Sequence, residues 1–129
     1  MRRDILKQLS FFVFFIFILN TLATFFGWYT IFSWFDNMMH FLGGAWLALV
    51  ATWLWYEKHR RGGRGIVSIL VFVFIGAFLW EVLEYLIQFL AQSPDSLATL
   101  PDSVSDIIFG LLGGLLVGYR KVKTIKRQQ

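Results

Sequence analysis

The chain has 129 residues, of which 57% are hydrophobic, 19% aromatic and 16% charged, with a formal net charge of +4 and no cysteine. That much apolar surface exceeds what a soluble domain of this length can bury, so the composition places the chain in a membrane. Without cysteine there are no disulfides and no thiolate metal sites, and the basic excess sits in loops and tails between apolar runs, where it reads as a topology signal and not as a nucleic-acid footprint.

Four apolar segments follow in order, about 11–35, 37–56, 66–91 and 104–119, each near the roughly 20 residues that a span needs. They predict an all-α fold, a single transmembrane domain over 1–129 built as a bundle of four helices. The Met1-Arg2-Arg3 start resembles a signal peptide, but the apolar run that follows is too long and lacks a small-x-small cleavage site, so a retained first span is expected. The connection at Ser33 to Asp36 is short enough to make the first two helices an antiparallel hairpin.

The twelve Lys and Arg residues set the orientation. Arg2, Arg3 and Lys7 precede span one, Lys58, Arg60, Arg61 and Arg64 lie between spans two and three, and Arg120, Lys121, Lys123, Lys126 and Arg127 follow span four. With four spans all twelve fall on one side, and the positive-inside rule makes both termini of a multi-pass membrane protein cytoplasmic. The connection from Gln92 to Ser103 carries Asp95, Asp102, Pro94 and Pro101 and no base, as an exterior loop would. His59, among basic neighbours, is a solvated loop residue near lipid headgroups.

Span three contains Trp80-Glu81-Val82-Leu83-Glu84-Tyr85, two carboxylates on one helix face. A carboxylate at bilayer depth costs roughly 2.5–3.5 kcal/mol on insertion scales, so the pair implies a cavity, a metal or a proton path. At 1.5 Å per residue the topology sets Asp36 at the outer start of span two with His40 about one turn inside, Glu84 and Glu81 roughly 10–15 Å below the outer end of span three, and Asp102 and Asp106 at the opening of span four. Six polar residues from three helices therefore converge on the outer half.

One His among Asp and Glu is a ligand set for a divalent metal ion, zinc, manganese, iron or magnesium, and argues against copper(I) and iron–sulfur clusters. His40, Glu81, Glu84 and Asp106 are the expected direct ligands, Asp36 and Asp102 either ligands or helix N-caps at the membrane surface, and Asn37 and Tyr85 supporting groups around them. Tyr85 reads more readily as an ordinary interfacial aromatic than as a donor to the site, and His40 alone would read as a hydrogen-bonded core residue. A cation would also relieve the repulsion among five carboxylates in a low dielectric. Gly43, Gly44, Gly110, Gly113, Gly114 and Gly118 supply small positions that let helices approach closely in lipid. Trp28, Tyr29 and Trp34 mark the outer interface, and Trp53, Trp55 and Tyr56 the inner one.

With Asp36-Asn37-Met38-Met39-His40-Phe41 and Gly43-Gly44, then Trp80-Glu81-x-x-Glu84, then Asp102-x-x-x-Asp106 and its downstream glycines, the chain resembles the YjdF-like and VanZ-like bacterial membrane proteins over about 36–118. That family pattern commonly has Lys after the first Asp and Asn one turn after the last, where this chain has Asn37 and Gly110. The resemblance implies a small multi-span inner-membrane protein, with VanZ-like members linked to resistance to lipid-tailed glycopeptides. Three functions follow as expectations: a metal-binding protein acting on a lipid or lipid-linked substrate at the outer leaflet, a proton-coupled small transporter or channel subunit using Glu81 and Glu84 as a homo-oligomer, and a structural or regulatory membrane partner. Between enzyme and transporter the residues leave the choice open, and no catalytic set is assigned.

Overall fold

Long runs of Leu, Phe, Ile, Val and Ala in a non-aqueous setting leave each backbone amide only its own segment to bond with, which selects helix. The computed structural model describes residues 2–57, 65–91 and 100–127. Its elements are α1 (Arg2–Phe26), a single turn α2 (Trp28–Ile31), α3 (Phe35–Leu54), α4 (Gly65–Leu90) and α5 (Leu100–Arg127), with no strand among the described residues. The stretches 58–64 and 92–99, which hold Lys58, His59, Arg60, Arg61, Arg64, Pro94 and Asp95, lie outside the described residues.

The expected boundaries shift in two places. Span one does not run from 11 to 35: α1 starts at Arg2 with Asp4 in its first turn and stops at Phe26, because Gly27 takes φ 67°, a left-handed conformation that a helix cannot continue through. One turn, α2, then leads to Phe32 in extended conformation before α3 begins, so the connection starts at Gly27 and not at Ser33. The helix that holds the apolar run 104–119 is longer than that run. It begins at Leu100 with Pro101 in the first turn, where its missing N–H is not needed, and it continues to Arg127 because Val122 and Ile125 stay buried while Lys123, Lys126 and Arg127 face outward. The helices α3 and α4 coincide with the apolar runs 37–56 and 66–91 to within two residues.

Contacts between the helices fix their directions. Trp46 Nε1 donates to the Leu9 carbonyl at 3.3 Å and the Arg2 guanidinium lies 5.1 Å from the Trp53 ring centre, so α1 runs antiparallel to α3. His40 faces Glu81 and Trp55 meets Phe72 edge-on at 5.6 Å, so α4 is antiparallel to α3 as well. Asn37 meets Ser105 and Gly44 meets Gly110, which makes α5 parallel to α3. Arg2, Arg3, Lys7 and the basic residues of α5 from Arg120 onward therefore gather at one end, and Asp36, His40, Glu81, Glu84, Asp102 and Asp106 at the other.

The centre of the arrangement is α3, contacted by α1, α4 and most extensively α5. Toward the basic end Ala48, Ala51, Ile69, Val73 and Val122 form one buried cluster, and Ile5, Leu9 and Leu49 a second between α1 and α3. Outward surfaces are strongly apolar: Phe11, Phe14, Phe17, Phe25 and Leu90 are each more than 60% exposed. An apolar surface of that extent belongs against lipid. Among the described residues three helices, α1, α4 and α5, are long and apolar enough to cross a membrane. The fourth long helix, α3, has 20 residues and carries Asp36, Asn37 and His40 near its start.

Candidate functional site

His40 lies in the second turn of α3, on the face turned toward α4 and α5, and is about 10% exposed. Its two ring nitrogens point to different acids. Nδ1 lies 3.6 Å from Glu81 Oε1 of α4, and Nε2 lies 3.7 Å from Asp36 Oδ1 and 3.8 Å from Asp106 Oδ2 of α5. The Asp36 contact follows from i, i+4 spacing on one helix, whereas the other two are set by helix packing. Two overlapping groups result, Asp36–His40–Asp106 and His40–Glu81–Glu84, each with donor atoms within 4.8 Å of one another.

These separations exceed the roughly 3.2 Å limit of an N–H···O hydrogen bond. They are close to the edge of a tetrahedron with bonds of about 2.1 Å, which is about 3.4 Å. Glu81 and Asp106 are 7% and 4% exposed, and Glu81 Oε1 and Asp106 Oδ1 are buried without a hydrogen-bond partner among the described residues. An unsatisfied carboxylate oxygen in the interior costs several kcal/mol. A proton or a cation in this space would remove that penalty.

Close approach of α3 and α5 builds the site. A Cβ added to Gly44 would collide with the Gly110 carbonyl, and one added to Gly113 would collide with the Phe41 carbonyl. Farther along α5, a Cβ on Gly114 would come within 2.9 Å of the Val73 methyls, and one on Gly118 within 3.0 Å of Ile69. Gly110 is buried, and its Cβ position is 3.6 Å from Ala77 and the His40 carbonyl, an ordinary contact. Gly43 departs from the packing role expected of it, because a Cβ there would meet nothing within 4 Å.

The remaining expected site residues take distinct positions. Asp102 is exposed in the first turn of α5, one turn outward from Asp106, and belongs to neither close group. Tyr85 is 49% exposed beside Glu84 on the outer surface, as an interfacial aromatic would be. Asn37 accepts a hydrogen bond from Ser105 Oγ at 3.0 Å and so ties α3 to α5 just outside the His40–Asp106 contact. Two polar side chains were not expected at the site: Ser105, and Gln88, whose Nε2 donates to Glu84 Oε1 at 3.2 Å. The i, i+4 spacing of Glu84 and Gln88 is a signal the sequence carries; nothing local announces Ser105.

Compared with known proteins, residues 2–124 match the family described as predicted membrane protein (DUF2238). No curated protein and no solved structure matches the chain.

Proposed function

The chain belongs to that family of predicted membrane proteins, and from this premise we propose that it is a four-span protein of a prokaryotic inner membrane, with both termini cytoplasmic, that binds one divalent cation in the outer half of the bilayer and acts there on a lipid or lipid-linked substrate. The observation that carries the reading is a nearly buried imidazole between two carboxylates that each hold an unpartnered buried oxygen. The earlier resemblance to YjdF-like and VanZ-like proteins belongs with this proposal. In it α3 is the fourth span, its polar start shielded by α4 and α5.

A single imidazole cannot turn both nitrogens to one metal. The arrangement fits best with Nε2, Asp36 and Asp106 as ligands of zinc, manganese, iron or magnesium, and with Nδ1–H turned toward the Glu81 carboxylate 3.6 Å away. A carboxylate on the far nitrogen fixes the tautomer and raises the basicity of the ligating one. Three protein ligands leave coordination positions free on the side of half-exposed Asp36. The cation would supply a Lewis acid there. It would also reverse the local electrostatics, since the four carboxylates grouped around one imidazole repel a lipid phosphate unless a cation offsets them.

The transporter reading relies on the same buried acids but lacks a continuation. Below them the α3–α4–α5 seam closes on Ala48, Ala51, Ile69 and Val73, and the one buried polar side chain there among the described residues, Thr52, gives its hydroxyl hydrogen to the Ala48 carbonyl at 2.7 Å. A dead-end site open to one face suits a bound ion better than a conduction path.

Elemental analysis of protein purified without chelator tests the proposal. One equivalent of a divalent metal is expected, and less than about 0.2 equivalents would refute it, because a site with several charged ligands retains its ion. Two equivalents would instead mean that both groups are filled with the imidazole bridging, and would overturn the assignment of Glu81.

A further inference from the structure

At the end of the bundle opposite the acidic site, α1, α3 and α5 leave between them a cleft of about 340 Å³. Its inner wall is apolar, made by Phe12, Leu49 and Val117, and Phe11, 74% exposed, carries that wall onto the outer surface of α1. Its rim is polar: Gln8, Arg120, Lys121 and Thr124. Lys121 Nζ donates to Gln8 Oε1 at 2.5 Å, which holds the ammonium across the mouth with two further N–H donors to offer, while the Gln8 amide keeps its own N–H groups as donors. Arg120 is exposed beside it.

The surrounding charge has one sign. Among the described residues Asp4 and Glu57 are the acids at this end, against Arg2, Arg3, Lys7, Arg120, Lys121, Lys123, Lys126 and Arg127. From Val117 to Thr124 the cleft extends about 10 Å along α5, enough for a headgroup and the first carbons of an acyl chain. Basic pockets between membrane helices recognise anionic lipid headgroups. A free phosphate would use the rim alone and leave the apolar half empty.

We infer that this cleft binds one anionic phospholipid, its phosphodiester on Lys121 and Arg120 and its upper acyl chain along Phe12, Leu49 and Val117. The site is independent of the acidic one, and its occupant would join α1 to α5 where Lys121 and Gln8 already meet.

Native mass spectrometry of the detergent-solubilised full chain, with phosphatidylglycerol and phosphatidylcholine as probes, tests this. Each basic side chain near a lipid phosphate is worth about fivefold in binding. One phosphatidylglycerol should be retained in preference to phosphatidylcholine, and Arg120→Gln with Lys121→Gln should lower its binding by about 25-fold. The charge-matched pair Lys126→Gln with Arg127→Gln, outside the cleft lining, should lower it by no more than about threefold through the screened surrounding charge, and Val117→Trp, which fills the apolar half, should abolish retention at constant charge. Equal losses in the two charge pairs, no effect of Val117→Trp, or displacement of the lipid by an equal concentration of inorganic phosphate would each overturn the inference. If the Lys121 change unfolds the chain, Arg120→Gln alone, at an exposed position, should still lower binding about fivefold, and unchanged binding would refute the site.

Discussion

Gly43 and Gly44 are neighbours on α3, and the structure predicts opposite responses to the same added methyl group. At Gly44 the new Cβ would overlap the carbonyl of Gly110, a backbone atom that no rotamer change can move. Normal contact requires α3 and α5 to separate locally by about 1 Å or more, and overpacking of this kind costs about 1–3 kcal/mol. Gly44 follows His40 by one turn and Gly110 follows Asp106 by one turn, so the wedge would lie directly below the His40–Asp106 contact and widen its 3.8 Å separation. At Gly43 the methyl meets nothing within 4 Å, and the better helix propensity of alanine makes the change neutral or stabilising by up to about 1 kcal/mol. Thermal unfolding of both variants in one detergent, followed by tryptophan fluorescence, should show Gly44→Ala clearly below the parent and Gly43→Ala at or above it. Metal content should fall for Gly44→Ala alone. Equal destabilisation by the two substitutions, or a Gly44→Ala protein as stable as the parent, would refute the close α3–α5 packing on which the site depends.

The same geometry separates the acids. Asp106→Asn removes a proposed ligand and should eliminate metal retention, whereas Glu81→Gln removes the support of the far imidazole nitrogen and should weaken affinity about 10–100-fold in a chelator competition titration; equal losses would place both acids on the ion. Asp102→Asn, at an exposed position outside both groups, should change affinity by no more than about threefold, the effect of one screened charge nearby, and complete loss would make Asp102 a ligand. Gly27→Ala should cost about 1–2 kcal/mol in thermal stability, because Gly27 sits at φ 67°, while Gly27→Asn should cost less, since Asn tolerates that region.

How much of this is legible in the sequence depends on which force decides each feature. The apolar runs give α3 and α4 to within two residues, since desolvation of the backbone dominates there. They misplace both ends of span one and span four. A hydropathy pattern cannot see that Gly27 adopts a positive φ, and it stops at Tyr119 although Val122 and Ile125 keep one face of the basic tail buried against the bundle. At the site, the i, i+4 pair Asp36 and His40 is local and could be read directly. That His40 reaches Glu81 and Asp106 depended on depth inferred from twelve basic residues, and the alternating directions of the helices bring those groups together. The division of the imidazole between two acidic faces, the Ser105–Asn37 link and the difference between Gly43 and Gly44 depend on helix rotation, which spacing alone does not determine.

The choice of Asp on one partner helix and Glu on the other follows from how far each stands from α3. Along α5 the approach to α3 is backbone to backbone, through Gly44 against Gly110 and Gly113 against Phe41, so a one-carbon carboxylate such as Asp106 spans the gap to Nε2. On α4 a Leu47 side chain lies against Gly76, and that intervening layer leaves room for the longer Glu81 to reach Nδ1 at nearly the same distance. Exchanging the two acids while keeping the charge would drive a glutamate into the tight α3–α5 seam and leave an aspartate short of the imidazole on the other side. The same enclosure explains why α3, which carries Asp36, Asn37 and His40, can lie at the centre of so apolar a chain: α1, α4 and α5 present their hydrophobic faces to lipid, and the His40 ring faces protein. Packing by small residues and a buried acidic site are therefore consequences of one interface, and a change that loosens the first should weaken the second.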